Sequence, residues 1–212
     1  PGLLTVDQAI EKILSQAIAV EQTESVDILD ALKRVLAEDL LSTIDVPGYD
    51  NSAMDGYAVR SEDCRLAGAK LPVTQRIPAG TVGTTLEAGT AARIFTGAPI
   101  PEGADAVVMQ EMCDADESRV IINTEVKTGA NVRRAGEDIA KHSPVLHAGK
   151  RLRAQELGLL ASVGLAEFKV RRKLKVAIFF TGDEIVAPGQ ALAPGQIYNS
   201  NRYTLRGLLQ AM

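Results

Sequence analysis

Apolar positions along the chain change their spacing several times, and each change predicts a different kind of element. Behind Thr5-Val6-Asp7-Gln8, which has the form of a capping box, Ile10, Ile13, Leu14 and Ile18 recur at helical spacing. The pattern predicts an amphipathic helix over residues 6–19. Leu29, Leu32, Val35 and Leu36 mark one face of a second, short helical stretch over residues 29–36. From about 42 to 134 the texture turns to short β-like runs at 91–95, 106–109 and 120–122, separated by Gly, Pro, Asn and Asp. That reads as a small β-rich domain. A third helix is predicted over residues 153–163, with Gly164 placed to close it in a left-handed conformation.

Ala166-Glu167-Phe168-Lys169-Val170 follows, then the basic run Arg171-Arg172-Lys173, then residues 176–180, which are apolar at every position. Such a stretch suits a strand covered on both faces of a parallel sheet, so a new α/β domain is placed here. Its crossover helix starts near Asn199 or Ser200 and carries Leu205, Leu208 and Leu209. The fold class is therefore multidomain α+β: helical and extended segments, a β-rich domain, and the start of a doubly wound α/β domain. One strand and one helix cannot bury the apolar faces they present, which argues that the α/β domain is truncated. The chain opens at Pro1 and not at methionine, which fits a fragment or a processed N-terminus.

Composition narrows the function classes. The 212 residues are 46% hydrophobic and 24% charged, an ordinary globular balance. A formal charge of −4 argues against a broad nucleic-acid surface, so any anion site is local. Cys64 and Cys113 lie far apart with no histidine partner or CxxC spacing, which supports neither a zinc site nor a disulfide framework. They read as free thiols in a reducing compartment. No apolar run reaches membrane-spanning length and no signal-peptide layout opens the chain, so the expected location is the cytoplasm. Dinucleotide, P-loop, nucleophile-elbow and zincin motifs are absent, and His142 and His147 fall in a polar turn region as exposed residues.

Four stretches can carry chemistry. Residues 45–58 are dense in turn formers, and the carboxylate of Asp55, followed by Gly56, either binds a metal or substrate or sits in a plain surface turn. Thr96-Gly97 follows a β-like run and precedes two prolines; its amides and hydroxyl suit a phosphate or oxyanion, and a proline-stiffened strand exit suits the same residues. Arg133, Arg134, Glu137 and Asp138 share a glycine-bracketed span that serves either an oxyanion site or a solvated ion-pair turn. Asp183 and Glu184 come directly after the all-apolar run, where the carboxyl end of a strand in an open α/β sheet receives a substrate or Mg²⁺.

In order, the strings Asn51-Ser52-Ala53-Met54-Asp55-Gly56-Tyr57-Ala58, Thr96-Gly97-Ala98-Pro99, Asn131-Val132-Arg133-Arg134 with Gly136-Glu137-Asp138, and Thr181-Gly182-Asp183-Glu184 resemble segments of the MoeA and gephyrin E-domain family of molybdenum insertases. The similarity runs through essentially the whole chain. It implies a homodimer of four-domain subunits, of which three are represented: a discontinuous first domain (1–41 and 135–172), an inserted β-rich domain (42–134) and the start of a molybdopterin-binding α/β domain (173–212). It also implies a reaction in which molybdate enters adenylylated molybdopterin with Mg²⁺ and AMP is released, the last step of molybdenum cofactor synthesis. The upstream adenylyltransferase is an implied partner.

By the same resemblance Asp55 and Glu184 are catalytic, Thr96, Arg133 and Asp138 bind substrate, and Asp183 and Glu184 hold the metal. The missing part of the third domain and the whole fourth imply that these 212 residues alone do not turn over. Gephyrin-type relatives use the same dimer to cluster receptor tails, so a scaffold or docking module without turnover is the alternative, and an oxyanion-binding domain without turnover is a third.

Overall fold

A computed structural model describes residues 4–116 and 118–212. Helix α1 (Val6–Ser15) begins as the sequence indicates. Thr5 accepts from the Gln8 amide, the Gln8 side chain accepts from the Thr5 amide, and both halves of the capping box are formed. The helix stops one turn short of Ala19. None of its residues is buried, so no packed face holds a further turn in place.

Among the described residues fourteen strands follow: β1 (Thr23–Asp27), β2 (Leu40–Leu41), β3 (Asn51–Ser52), β4 (Gly56–Val59), β5 (Ala69–Ile77), β6 (Ala91–Ile94), β7 (Ala106–Met109), β8 (Cys113–Ala115), β9 (Arg119–Ile122), β10 (Val132–Arg133), β11 (Pro144–Leu146), β12 (Glu167–Arg171), β13 (Ile185–Val186) and β14 (Ile197–Tyr198). Helix α2 (Ala154–Ser162) lies between β11 and β12, and α3 (Ser200–Ala211) follows β14. Both match the helices expected there, and Gly164 has the left-handed φ of 78° that closes α2. Mixed α/β architecture is thus present among the described residues, none of whose helices is long and apolar enough to cross a membrane.

The helix expected over 29–36 does not form. Asp27 caps a single 3₁₀ turn at Ile28–Asp30, Lys33 takes a positive φ of 65°, and Val35 and Leu36 bridge to Arg151 and Val170. Pairing with distant backbone overrides a local helical period of only two turns. The strand expected over 176–180 is also not formed. It has no ladder partner among the described residues, and an extended segment becomes a strand only by pairing its amides and carbonyls. The α/β character of this region rests instead on the parallel pair β13–β14 and on α3.

The chain divides into two units. One comprises residues 1–38, 148–157 and 166–212. Its β1 and β12 pair antiparallel over five residues. Arg34, 8% exposed, is neutralised there by Glu24 and donates to the Arg171 carbonyl at 2.9 Å. The other unit comprises residues 39–147 and 158–165 and contains a six-stranded sheet of order β7-β4-β6-β5-β9-β8. Every neighbour in it is antiparallel except the parallel pair β5–β6.

Alternation along these strands fills two small cores. Tyr57, Val59, Val108 and Ile122 belong to one, and Ala58, Ile77, Ile94 and Val107 to the other. Gly56 permits the tight approach of β4 to β7, since a Cβ there would lie 1.9 Å from the Val108 carbonyl oxygen. Cys64 is fully buried and Cys113 partly so; burial pushes both thiols up to about 11, so neither is a nucleophile near neutrality.

Candidate functional site

Three of the four sequence motifs meet in the β-rich unit through backbone pairing. β3 is the hub. Arg133 and Val132 of β10 pair antiparallel with Asn51 and Ser52, and the Ala53 amide donates to the Asn131 carbonyl. On its other side the Ser52 amide donates to Ala98, the Gly97 amide donates back to Ser52, and the Ile100 amide donates to Asp50. Asn131 adopts a φ of 52°, which its short polar side chain tolerates, and its Nδ2 donates to the Val107 carbonyl at 2.9 Å. The turn carrying the arginines is thereby fixed to β7.

Asp55 projects from the turn between β3 and β4 and meets the end of β6. Its Oδ1 accepts from the Thr96 amide at 2.8 Å and from the Thr96 hydroxyl at 3.0 Å. These two bonds, the amide first, hold its carboxyl below the ordinary carboxylate range, and the nearby charge of Arg93 adds to the effect. Asp55 is therefore an exposed, ionised carboxylate with one oxygen fixed and the other available. Thr96 spends its donors on Asp55, which places it beside the carboxylate as an orienting group; its hydroxyl oxygen can still accept.

The arginine span folds into a second cluster of the same unit. Arg133 grips both oxygens of Asp138, at 2.8 and 2.7 Å, and reaches Glu137 at 3.3 Å; Asp138 foremost, then Glu137, raises the guanidinium's pKa. Arg134 pairs with Asp50, whose other oxygen accepts from the Ala135 amide at 2.9 Å. The Ala135 bond and then Arg134 lower the Asp50 pKa. Asp50 was not singled out among the candidate residues. Its signal was its place immediately before the Asn51 string, opposite an arginine-rich turn. The sequence left open whether this span is an oxyanion site or an ion-pair turn, and in the free chain its arginine forks face carboxylates.

Asp183 and Glu184 belong to the other unit, on the turn that enters β13 and not at the exit of a paired strand. The Glu184 carboxylate folds over Gly182, where a Cβ would meet its oxygens at 2.6 and 2.8 Å. Neither carboxylate has a recorded hydrogen-bond or ion-pair partner among the described residues, and the Glu184 carbonyl accepts from the Ile197 amide at 2.8 Å. No group of three or more His, Cys, Asp or Glu positioned to hold a metal occurs among the described residues. Two adjacent, exposed carboxylates nevertheless fit Mg²⁺, which keeps several waters and takes its other ligands from phosphate oxygens.

An irregular segment stitched to a mixed sheet, with a fixed carboxylate at the sheet's end, defines a class that comparison with known proteins identifies. Residues 4–164 match the family described as the MoeA N-terminal region, domains I and II, and the chain belongs to that family. It is 44% identical over 211 residues to the molybdopterin molybdenumtransferase of Haemophilus influenzae, covering 99% of this chain and 52% of that protein. To the Nostoc protein of the same name it is 42% identical over 215 residues, covering 99% and 49%. The crystal structure of a molybdopterin biosynthesis MoeA protein from Pyrococcus horikoshii OT3 superposes with a TM-score of 0.90 at 35% identity, covering 99% of this chain and 57% of that one. The chain spans about half the length of the curated relatives it matches.

Proposed function

We propose that this chain is the front portion of a molybdenum insertase, which places molybdate into adenylylated molybdopterin and releases AMP in the last step of molybdenum cofactor synthesis. The observation that carries the reading is Asp55, ionised, exposed and fixed by both donors of Thr96, within a chain of the MoeA N-terminal family. Asp55 would accept a proton or orient a cationic or protonated group of the substrate, while Arg133 and Asp138 would exchange their mutual bonds for contacts to phosphate or molybdate oxygens. Asp183 and Glu184 would hold Mg²⁺ together with phosphate oxygens. When bound, that ion would neutralise charge on the departing adenylate.

The same reading includes the three-part domain division given above, work in the cytoplasm beside the upstream adenylyltransferase, and a homodimer. Supporting the dimer is the bare apolar stripe of α1, where Ile10, Ile13 and Leu14 are 50%, 69% and 65% exposed. Because the 212 residues span about half of their relatives, they are expected to show no molybdate-dependent AMP release by themselves.

The test is AMP release in the protein at its natural length. Asp55→Ala and Glu184→Ala should each lower the rate by about 100-fold or more. Full activity in either variant removes that residue from the site.

A further inference from the structure

One face of the six-stranded sheet carries two arginines directly opposite each other. β5 and β6 run parallel, and their register pairs Arg76 with Arg93. On the next strand Tyr57 pairs with Arg93, and Phe95 lies two residues beyond Arg93 on the same face. Like charges placed directly across a ladder destabilise a sheet, so this arrangement asks for a reason.

A register shift between Val73 and Gln75 creates it. Leu71 and Val73 pack with the core that contains Tyr57, and strict alternation would send Gln75 and Ile77 to that face too. Ile77 instead packs with the opposite core beside Ile94, because the extra residue reverses the alternation and turns Arg76 toward Arg93 and Tyr57.

The two cations are then held by rings. Arg76 lies 4.6 Å and Arg93 4.7 Å from the Phe95 ring centroid, and Arg93 lies 5.2 Å from that of Tyr57. Arg93 donates to the Gly56 carbonyl at 2.9 Å and to Gln110 at 2.6 Å. No hydrogen bond or ion pair is recorded for Arg76 among the described residues, so stacking fixes its guanidinium plane while its donors stay free. Both arginines line a cavity of about 420 Å³ with Tyr57, Val73, Thr74 and Asp116. Asp116 is engaged by its own turn, its Oδ1 accepting from the Ser118 amide, the Ser118 hydroxyl and the Arg119 amide. Gln75, also in the lining, spends its amide on Thr84.

We infer that this cavity is an anion subsite in which Arg76 and Arg93 bind a tetrahedral oxyanion, phosphate or molybdate in chemistry, on the sheet face where the end of β6 leads into Thr96, the partner of Asp55. The identification of the anion with a substrate group rests on the function proposed above; the site itself does not. The excess cationic charge and the unspent fork of Arg76 draw the anion, and the phenyl ring keeps that fork from turning away.

The test is calorimetric titration of the natural-length protein at low ionic strength with orthophosphate, AMP and molybdate in separate experiments, on wild type and on the Arg76→Gln, Arg76→Lys and Arg93→Gln variants. Arg76 is exposed, so its replacement leaves the fold intact, as circular dichroism would verify. At least one anion should bind, with affinity falling about ten-fold in Arg76→Gln and Arg93→Gln and less in Arg76→Lys, which keeps the charge and loses the fork. Selective loss of molybdate, or of phosphate and AMP together, names the source of the oxyanion. Binding of none of the three by wild type, or equal binding by wild type and Arg76→Gln, overturns the inference. Molybdate-dependent AMP release measured on the same samples separates the two proposals. Arginine-dependent binding without turnover in wild type leaves this site standing and removes the insertase reading, whereas turnover with arginine-independent binding does the reverse.

Discussion

Thr96, more than the charge of Arg93, holds the Asp55 carboxyl below its ordinary value. The Thr96 amide and hydroxyl both hold the charged form, so replacing Thr96 with Ala removes one of two bonds and lets the Asp55 pKa rise toward its ordinary value. If Asp55 must be ionised for turnover, the acid limb of the pH–rate profile moves to higher pH in Thr96→Ala; a profile that stays in place shows that another group sets that limb. The sequence made Asp55 and Thr96 visible as small polar residues at turns, but not their mutual contact, because 41 residues separate them and the β4–β6 pairing, with the bonds of Ser52 to Gly97 and Ala98, brings them together. Arg76 was hidden for a related reason. Its facing depends on a register shift, and alternation read along the chain assigns it to the wrong side.

Helix α2 shows how far local signals reach. Its extent was readable from apolar spacing and a terminal glycine, and the acid at its start pairs locally, but its burial comes from the fold. Glu156, 5% exposed, accepts from the Arg153 amide at 2.9 Å and from the Arg153 guanidinium at 2.6 Å, with Lys150 at 3.4 Å. Foremost the guanidinium holds its carboxyl at about 2, against an ordinary 4.5. A folded-state pKa below the unfolded one gives stabilisation that is complete above about pH 4.5 and is lost as pH falls toward 2. Urea midpoints should therefore decline across that window. Glu156→Gln should start lower at pH 6 and lack this part of the decline; identical pH profiles would show that the pairing contributes nothing. In the sheet, Gly56→Ala drives a methyl into the Val108 carbonyl between two paired strands and should cost about 3 kcal/mol in chemical denaturation. Stability within 0.5 kcal/mol of wild type, roughly the scatter of surface changes, would mean that β4 and β7 can separate freely.

For the whole molecule, the apolar stripe of α1 is the feature the sequence foretold most directly and the single chain explains least. The capping box and periodicity specify the helix, yet no residue of it is buried. If the stripe is a subunit interface, Leu14→Asp should shift sedimentation from dimer to monomer with helicity retained, and an unchanged dimer would place the interface elsewhere. The all-apolar run at 176–180 taught the opposite lesson: composition gave its burial preference, but a strand exists only with neighbours, and none of the described residues supplies one. β3 has the neighbours that run lacks, and they come from far along the chain. Asp55 waits for Thr96, and Asp50 waits for Arg134, 84 residues later. During synthesis, then, the ribosome must deliver nearly the whole β-rich unit before the Asp50–Arg134 half of the site can close, so a chain stalled or released soon after Thr96 carries the first motif letters without the pocket they spell.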